Sequence, residues 1–362
     1  MSHSHSRSSG MDRMEHMERM GGSGGGEHGR DEAASFKYQT LEEVAGQVLA
    51  VAQDQNGCRF LQRKFDEGGP AAVALVLEEV LECVVELMVD PFGNYLVQKL
   101  LDRCSEQQRL EVLRRVAQRG ELASVALNTH GTRAVQKLIE TLSSREQRQI
   151  VVEALRGAGV VSLIKDLNGN HVVQRCLQRL GPEDAQFIYD AASAHCVEIA
   201  THRHGCCVLQ RCIDFATSAQ KKELIERVAE NAFVLSQDAF GNYVVQYVLE
   251  LGQSEASQAV IAQLSGHFAE LSMQKFSSNV VERCLKLGGV LAYLLWQDAE
   301  REAIVRELVD SPLLPRLLQD GDALNITHRG AHLALTEAIR PYLASLRGTP
   351  HGKRILQRIS AK

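Results

Sequence analysis

Short apolar stripes recur from residue 36 onward at a nearly constant interval along the chain. Each stripe follows a Gly, or a Ser in the last copy, and we call the residue after that Gly or Ser position 0. The spacings between successive copies are 36, 38, 38, 36, 36 and 36 residues. The seven residues at position 0 are Cys58, Asn94, Thr132, Asn170, Cys206, Asn242 and Ser278. Seven copies at this regularity identify an internal repeat.

The apolar residues of each repeat have helical spacing. Positions +3 and +7 are apolar in every copy, as in Val97 and Leu101, and position +2 is apolar as well. Because residues four apart share one face of an α-helix, this pattern predicts a helix whose apolar stripe packs inward. Four repeats have an Asp at position −4, which suits a helix N-terminus: Asp54, Asp90, Asp166 and Asp238.

Further amphipathic stretches lie between these predicted helices, for example at residues 77–88 and 221–233. Each repeat should therefore contain two or three helices. A unit of that size cannot bury its own apolar face, so the repeats should stack into a solenoid. The pattern predicts an all-α fold.

Positions 0, +1, +4 and +5 fall on the remaining face of the predicted helix and are mostly polar. Position +4 is an amide in six copies and a carboxylate in the last: Gln62, Gln98, Gln136, Gln174, Gln210, Gln246 and Glu282. Position +1 includes aromatic and Arg side chains: Arg59, Tyr95, Arg133, His171, Cys207, Tyr243 and Asn279. Position +5 is basic in six of seven copies: Arg63, Lys99, Lys137, Arg175, Arg211 and Arg283, with Tyr247 as the exception.

One such set of side chains would be an ordinary solvated helix face, but seven copies in the same columns favour a binding surface. An amide offers a donor and an acceptor that match the Watson–Crick edge of uracil or adenine. A carboxylate only accepts, and guanine presents two adjacent donors, so Glu282 suits guanine. Rings and guanidinium planes stack on bases, at ~1–3 kcal/mol per base. The basic column suggests a track near phosphates.

Composition limits the class of protein. The chain is 44% apolar and 23% charged, which is typical of globular proteins, and its 5% aromatic content and 7 prolines favour helices. The net charge of −5 gives no general attraction to nucleic acid, so any such attraction must be local. Residues 1–36, rich in Gly, Ser, His and Met, are predicted to be a disordered tail, and residues 37–362 the folded domain.

No apolar run is long enough for a membrane-spanning helix, and the N-terminus lacks the apolar core of a secretory signal. We therefore expect a cytoplasmic protein, without excluding the nucleus, that does not bind membranes. The nine cysteines should mostly be thiols.

The segments GCRFLQRKFDEG, HRHGCCVLQRC and MQKFSSNVVERCL resemble repeats of the Pumilio (PUF) family, in its plant or algal branch. The resemblance covers about residues 37–362. It implies a right-handed crescent α-solenoid of eight repeats that binds single-stranded RNA on its concave face, antiparallel to the chain. It further implies a monomer without cofactor that binds mRNA 3′ untranslated regions, lowers translation or message lifetime, and recruits regulatory proteins on its convex face.

The family also implies roles for the polar columns. Positions 0 and +4 would read the base edge, and position +1 would stack between bases. In the family, Asn at position 0 with Gln at position +4 recognises uracil. Cys or Ser with Gln recognises adenine, and Ser with Glu recognises guanine. Carried over repeat by repeat, these pairs predict the core 5′-GUAUAUA-3′, where Thr132 with Gln136 departs from the usual pairs and is assigned adenine.

The eighth repeat departs from the pattern. Residues 317–320 (LLQD) resemble the approach to its base-reading helix, and residues 333–358 resemble the end of the domain, but no matching segment lies between them. Forward alignment puts Leu324, Asn325 and His328 in the columns, whereas backward alignment from Arg340 implies about seven missing residues. We favour the deletion, because Leu offers a base no hydrogen bond. The 5′ uracil that precedes G in the family's targets would then be read poorly or not at all.

Three other interpretations remain open. The first is a helical scaffold that binds protein, and the second is a PUF-like RNA binder without sequence preference, for example in ribosome assembly. The third is a zinc site among seven residues that lack zinc-finger spacing, for which we favour a structural role: His195, Cys196, His202, His204, Cys206, Cys207 and Cys212. No nucleophile motif, phosphate loop or catalytic carboxylate pair indicates an enzyme.

Overall fold

The computed structural model describes residues 37–157, 159–286 and 298–317. Within these ranges every regular element is a helix, which confirms the all-α prediction. None of the described helices is long and apolar enough to cross a membrane. The predicted tail (1–36) and the departures predicted for the eighth repeat, including Leu324, Asn325 and His328, lie outside the described residues.

The third to seventh repeats each consist of a long helix, a short helix and a helix that carries positions 0 to +8. We call the helix with positions 0 to +8, which the first and second repeats also contain, the anchor helix. The long helices that stand alone are Glu106–Ala117, Arg145–Gly157, Gln186–Ala194, Ser218–Glu230, Ser254–Leu264 and Asp298–Asp310. The short helices are Val48–Ala52, Glu121–Leu127, Val160–Lys165, Cys196–Ala200, Ala232–Gln237, Phe268–Ser272 and Leu314–Leu317. The anchor helices of repeats two to seven are Gly93–Arg103, Gly131–Glu140, Gly169–Arg179, Gly205–Phe215, Gly241–Glu250 and Ser277–Lys286. Two 3-10 turns are Glu42–Val44 and Gln118–Gly120.

The first anchor helix and the helix that follows it both lie in the range Gln55–Val89. The two are separated by a kink at Gly69, which has φ 56° and ψ −143°, and by Pro70. A side chain at Gly69 would be strained in this left-handed region. Pro70 suits the first turn of the helix that begins after the kink, because its missing N–H needs no partner there.

Each anchor helix stacks on the anchor helix of the next repeat, so that these helices form one row. Long helices of successive repeats also contact one another, as Glu106–Ala117 does with Arg145–Gly157 and Ser218–Glu230 with Ser254–Leu264, and they form a second row. The core lies between these rows. Positions +2 and +3 are buried in all seven repeats, and position +7 is buried in all but the last, where Leu285 is half-buried. Cysteines fill position +6 in three repeats, and burial raises the pKa of each of them to about 12: Cys176, Cys212 and Cys284.

The glycine at position −1 permits a close approach between the anchor helix and the short helix before it. A Cβ atom added to Gly205 would lie 2.2 Å from the carbonyl oxygen of Ile199, and five other repeats show the same approach. In the seventh repeat Ser277 replaces this glycine, and its hydroxyl donates a hydrogen bond to Leu271 O at 2.7 Å. The packing role of this glycine was not predicted from the sequence, where it served only to define position 0.

Candidate nucleic-acid interface

The four aspartates at position −4 cap their anchor helices, as predicted. In the second repeat Asp90 Oδ1 accepts hydrogen bonds from the backbone N–H groups of Phe92 at 2.8 Å and Gly93 at 2.7 Å. Asp54, Asp166 and Asp238 make the equivalent bonds. Each cap satisfies N–H groups that the helix itself leaves without partners, and thereby fixes where the polar columns begin.

The fifth repeat is capped by a histidine instead. His202 Nδ1 accepts a hydrogen bond from the backbone N–H of His204 at 3.3 Å. That nitrogen can accept only while it carries no proton. Burial, followed by the nearby His204, lowers the pKa of His202 from its ordinary value of 6.5, which favours the neutral form that the cap requires.

Position 0 is enclosed in six of the seven repeats, which the polar character of its column did not predict. Only Ser278 is half-buried, whereas the other six residues at this position are buried. The next repeat explains part of this burial: Cys58 Sγ donates to Phe92 O at 3.2 Å, and Thr132 Oγ1 donates to Asn168 O at 3.0 Å. Both acceptors belong to the following repeat.

The asparagines at position 0 are buried because their donors are satisfied within their own repeat. Asn94 Nδ2 donates to Asp90 O at 2.8 Å and to Pro91 O at 3.0 Å. Its Oδ1 then accepts a hydrogen bond from Gln98 Nε2 at 3.0 Å. The same arrangement occurs in two further repeats, where Gln174 donates to Asn170 at 3.0 Å and Gln246 donates to Asn242 at 2.9 Å.

This bond determines what each half-buried glutamine can offer a ligand. One Nε2–H is used by the asparagine, which leaves one N–H donor and the Oε1 acceptor of the Gln side chain. The first and third repeats use the same contact with a different acceptor: Gln62 Nε2 donates to Cys58 Sγ at 3.1 Å, and Gln136 Nε2 donates to Thr132 Oγ1 at 3.3 Å. Position 0 therefore orients position +4.

Two repeats differ at these columns. In the fifth, Cys206 Sγ donates to Arg203 O at 3.3 Å, and the adjacent Cys207 thiol together with burial raises the pKa of Cys206. In the seventh, Ser278 Oγ lies 3.4 Å from Lys275 O, and the Glu282 carboxylate pairs with Lys286 one turn further along the helix.

The side chains at position +1 project into solvent beside these amides. Tyr95 is 52% exposed and Tyr243 is 44% exposed. Cys207 is half-buried, while the other four residues are exposed. Exposed planar groups at regular intervals are what base stacking requires, and this role stays a prediction.

Four of the six basic side chains at position +5 pair with an acidic side chain at position +8 of the preceding repeat. Lys99 Nζ lies 3.1 Å from Asp66 Oδ2, Lys137 Nζ lies 3.1 Å from Asp102 Oδ1, and Arg175 Nη1 lies 3.0 Å from Glu140 Oε1. Arg283 pairs with Glu250, and the Tyr247 hydroxyl donates to Asp214. We call this arrangement the inter-repeat ladder. Its acidic column was missed in the sequence, although five of the first six repeats have Asp or Glu at +8.

No group of three or more potential ligand side chains is placed to hold a metal ion in the part of the chain that the structure describes. His195 pairs with Glu198 at 3.3 Å, and burial raises the pKa of Cys196 to about 12. All nine cysteines are thiols in this structure.

The stacked three-helix units, each presenting an oriented amide or carboxylate beside a projecting side chain, define a helical-repeat protein with one polar set per repeat. The model of the "Pumilio-family RNA binding repeat" matches seven segments, which together make up more than half of the chain: residues 47–81, 83–117, 122–155, 159–191, 195–229, 231–265 and 267–289. The chain belongs to the Pumilio family of RNA-binding repeat proteins, which are not enzymes.

Individual relatives agree with this assignment. The chain is 50% identical to putative pumilio homolog 7, chloroplastic, of Arabidopsis thaliana over 166 residues, which are 46% of this chain and 25% of that protein. It is 42% identical over 166 residues to pumilio homolog 1 of Xenopus laevis, or 46% of this chain and 14% of that protein. The chain thus spans a quarter or less of these two relatives.

Among solved structures, similarity extends over most of the chain. The Puf4 RNA binding domain bound to the HO endonuclease RNA 3′ UTR recognition sequence is 41% identical, with a TM-score of 0.75 over 86% of this chain and 98% of that chain. The RNA-binding domain of yeast Puf5p bound to SMX2 RNA is 29% identical, with a TM-score of 0.76 over 87% of this chain and 96% of that chain. These similarities confirm the helical-repeat solenoid and the family predicted from the sequence.

Proposed function

We propose that this protein binds single-stranded RNA with the core 5′-GUAUAUA-3′, one base per repeat, and thereby regulates the translation or lifetime of messages through their 3′ untranslated regions. The observation that carries the proposal is the Asn–Gln hydrogen bond that recurs in the second, fourth and sixth repeats. A random solvated face would not orient the same amide three times.

The three Asn–Gln repeats are assigned to uracil. After its bond to Asn, each Gln retains one donor and one acceptor, which is the set needed to pair with N3–H and a carbonyl of uracil. Adenine also presents one donor and one acceptor, so glutamine alone does not separate these two bases. The choice must come from position 0, where an amide replaces a thiol or a hydroxyl.

Thr132 resembles Cys58 of the first repeat in its contacts, which supports adenine at its position. Its hydroxyl donates to a carbonyl of the next repeat and accepts from Gln136, as the Cys58 thiol does with Phe92 and Gln62. The asparagines also accept from their Gln, but their side chains donate within their own repeat and not to the next one. Thr with Gln is not one of the usual pairs of the family, so the assignment of adenine rests on these hydrogen bonds of Thr132.

Guanine is assigned to the seventh repeat. The Glu282 carboxylate only accepts hydrogen bonds, and guanine presents N1–H and N2–H₂ side by side. Lys286, which pairs with Glu282 on the same helix, keeps the carboxylate close to a positive charge in the absence of RNA. A base bound here would exchange part of that ion pair for two hydrogen bonds to the carboxylate.

The relatives support the regulatory part of the proposal. The solved Puf4 domain is bound to a 3′ UTR recognition sequence, and the family model describes an RNA-binding repeat. We assign this chain the same class of ligand, a single-stranded segment of an mRNA 3′ untranslated region.

The test compares GUAUAUA RNA with a scrambled RNA of the same composition at one fixed salt concentration. We expect a large preference for GUAUAUA, since several mismatched bases each cost about 1–3 kcal/mol. Equal affinity would indicate a PUF-like binder without sequence preference. Absence of binding to either RNA would indicate a protein-binding scaffold.

A further inference from the structure

The inter-repeat ladder is interrupted between the fourth and fifth repeats. Position +8 of the fourth repeat is Gln178, so the preceding repeat offers Arg211 an amide where Lys99, Lys137 and Arg175 face a carboxylate. Arg211 instead lies 3.5 Å from Asp214 Oδ2 in its own helix. The nearest acidic oxygens to the three other cations are 3.0–3.1 Å away.

Asp214 is also shared with another repeat. Its Oδ1 accepts a hydrogen bond from the Tyr247 hydroxyl of the sixth repeat, so the carboxylate serves the next rung as well as Arg211. The side chain of Arg211 is about one third exposed. Arg211 is therefore a half-buried cation beside the columns of the fifth repeat, with a longer and shared acidic partner.

The cations that pair with a carboxylate of the preceding repeat are less available to a phosphate than Arg211. A phosphate that approached Lys137 would have to compete with Asp102 at 3.1 Å and Glu140 at 3.5 Å. The hydrogen bond to Asp102 raises the pKa of Lys137, which reflects the stabilisation that the carboxylate gives its charge. Charges already neutralised within the protein release fewer counterions when RNA binds, and contribute less sequence-independent affinity.

Building on the RNA-binding function proposed above, we propose that Arg211 is a phosphate-contacting cation of the +5 column. The acidic residues at position +8 are then specificity residues. By neutralising Lys99, Lys137 and Arg175, the carboxylates of Asp66, Asp102 and Glu140 lower the affinity for RNA of any sequence and leave discrimination to the base-reading columns.

The first test introduces the missing carboxylate opposite Arg211 with Gln178→Glu, a substitution at an exposed position, in the full chain. The matched control is Gln149→Glu, which places the same charge on an exposed position of the long helix Arg145–Gly157, in the other row of helices. Affinity for GUAUAUA RNA is measured by fluorescence anisotropy over a series of salt concentrations. Gln178→Glu should weaken binding about threefold at low salt and reduce the slope of log affinity against log salt by up to about 0.7. Gln149→Glu should change both values much less.

A double-variant cycle shows whether Gln178→Glu acts through Arg211 or only through the general electrostatic repulsion between an added negative charge and RNA. Arg211→Gln should reduce affinity and salt slope as Gln178→Glu does, and adding Gln178→Glu to Arg211→Gln should change little further. Removing a rung with Glu140→Gln should do the opposite: the salt slope becomes steeper, scrambled RNA gains more affinity than GUAUAUA, and the ratio between them falls. Thermal unfolding midpoints near the wild-type value show that each variant is folded.

Equal effects of Gln178→Glu and Gln149→Glu, or additive effects of Gln178→Glu and Arg211→Gln, would overturn the assignment of Arg211. A Glu140→Gln protein with unchanged slope and unchanged ratio would overturn the role of the acidic column. Wild-type protein that binds both RNAs equally would contradict the proposed sequence preference, while the salt slopes would still decide the phosphate contact. Wild-type protein that binds neither RNA would overturn both proposals.

Discussion

The anchor helices of the second and fifth repeats bury the same positions and share few polar contacts. In the second repeat, Asp90 caps the helix, Asn94 accepts from Gln98, and Lys99 pairs with the preceding repeat. In the fifth, His202 is the cap, Cys206 bonds to Arg203 O, and position +8 of the preceding repeat offers Arg211 the amide of Gln178 instead of an acid. Both helices nevertheless pack as equivalent members of one row.

This difference separates two kinds of constraint. The apolar positions and the glycine at −1 determine packing, because each is enclosed by neighbouring helices and admits little change in volume. The polar columns only have to satisfy their own hydrogen bonds, which Asp, His, Asn, Cys and Thr achieve in different ways. Ligand preference can therefore vary between repeats while the fold does not.

The largest effect on stability should come from the glycine at position −1, which the two repeats share. Gly205→Ala should lower the free energy of unfolding by about 3 kcal/mol and Gly93→Ala by about 1–2 kcal/mol. An added Cβ would lie 2.2 Å from Ile199 O in the fifth repeat but 2.9 Å from Leu87 O in the second. Urea unfolding measures the difference.

Gly181→Ala is the matched control, because a Cβ there meets no atom within 4 Å. It should change the free energy of unfolding by less than about 0.5 kcal/mol. If Gly205→Ala proved as mild as Gly181→Ala, the close approach of helices at position −1 would not constrain the repeat.

Exchanging the position 0 residues should exchange base preference without a change of fold. Cys206→Asn should shift the third letter of GUAUAUA from A to U, and Asn94→Cys should shift the sixth letter from U to A. Each change should be worth about tenfold in affinity, the effect of one unpaired buried polar group. RNAs that vary at one letter, measured by competition binding, check both variants.

Each variant is the other's control, since only its own letter should respond. A shift at both letters, or at neither, would mean that position 0 does not act on one base per repeat.

The smallest effect should come from the caps. His202 has a pKa below its ordinary value of 6.5 in the folded protein, so the unfolded chain binds the proton more readily. The stability of the cap is therefore complete above about pH 6.5 and declines as the pH falls toward the lower pKa of the folded state. His202→Asp should stabilise the protein by up to about 1 kcal/mol at neutral pH, and by more near pH 5.5.

Thermal unfolding of the wild type and of His202→Asp across this pH range measures the difference in their stability. Asp90→His is the reciprocal variant and should introduce the same pH dependence into the second repeat. A gap between wild type and His202→Asp that stays constant with pH would show that His202 is not a neutral cap.

The fold could be predicted from the sequence to a large extent, because its determinants are residue types at fixed spacing. Apolar residues at +2, +3 and +7 gave the helices and the core, and Asp90 and its equivalents gave the helix starts. The cap at His202 was missed, since histidine is not among the usual capping residues. The predictions for the eighth repeat beyond residue 317 lie outside the described residues.

The candidate site could be predicted less completely. A helical periodicity places Asn94 and Gln98 on one face, but it does not show that the Asn is buried and holds the Gln. Asp102 and Lys137 look like solvated charges in separate repeats, and only the offset between stacked helices brings them together. For Asn94 the missing information is the hydrogen bonding at the start of its own helix, and for Lys137 it is the packing between repeats.

The most direct test of the central claim, that each repeat reads one base through positions 0 and +4, is the exchange Glu282→Gln measured against four RNAs that differ only in the first letter of GUAUAUA. The wild-type protein should prefer G at that letter. The variant has an amide that can no longer accept two hydrogen bonds from guanine, and should lose this preference by about tenfold in favour of A while every other letter is read as before. Affinity that is indifferent to the first letter in both proteins would contradict the account.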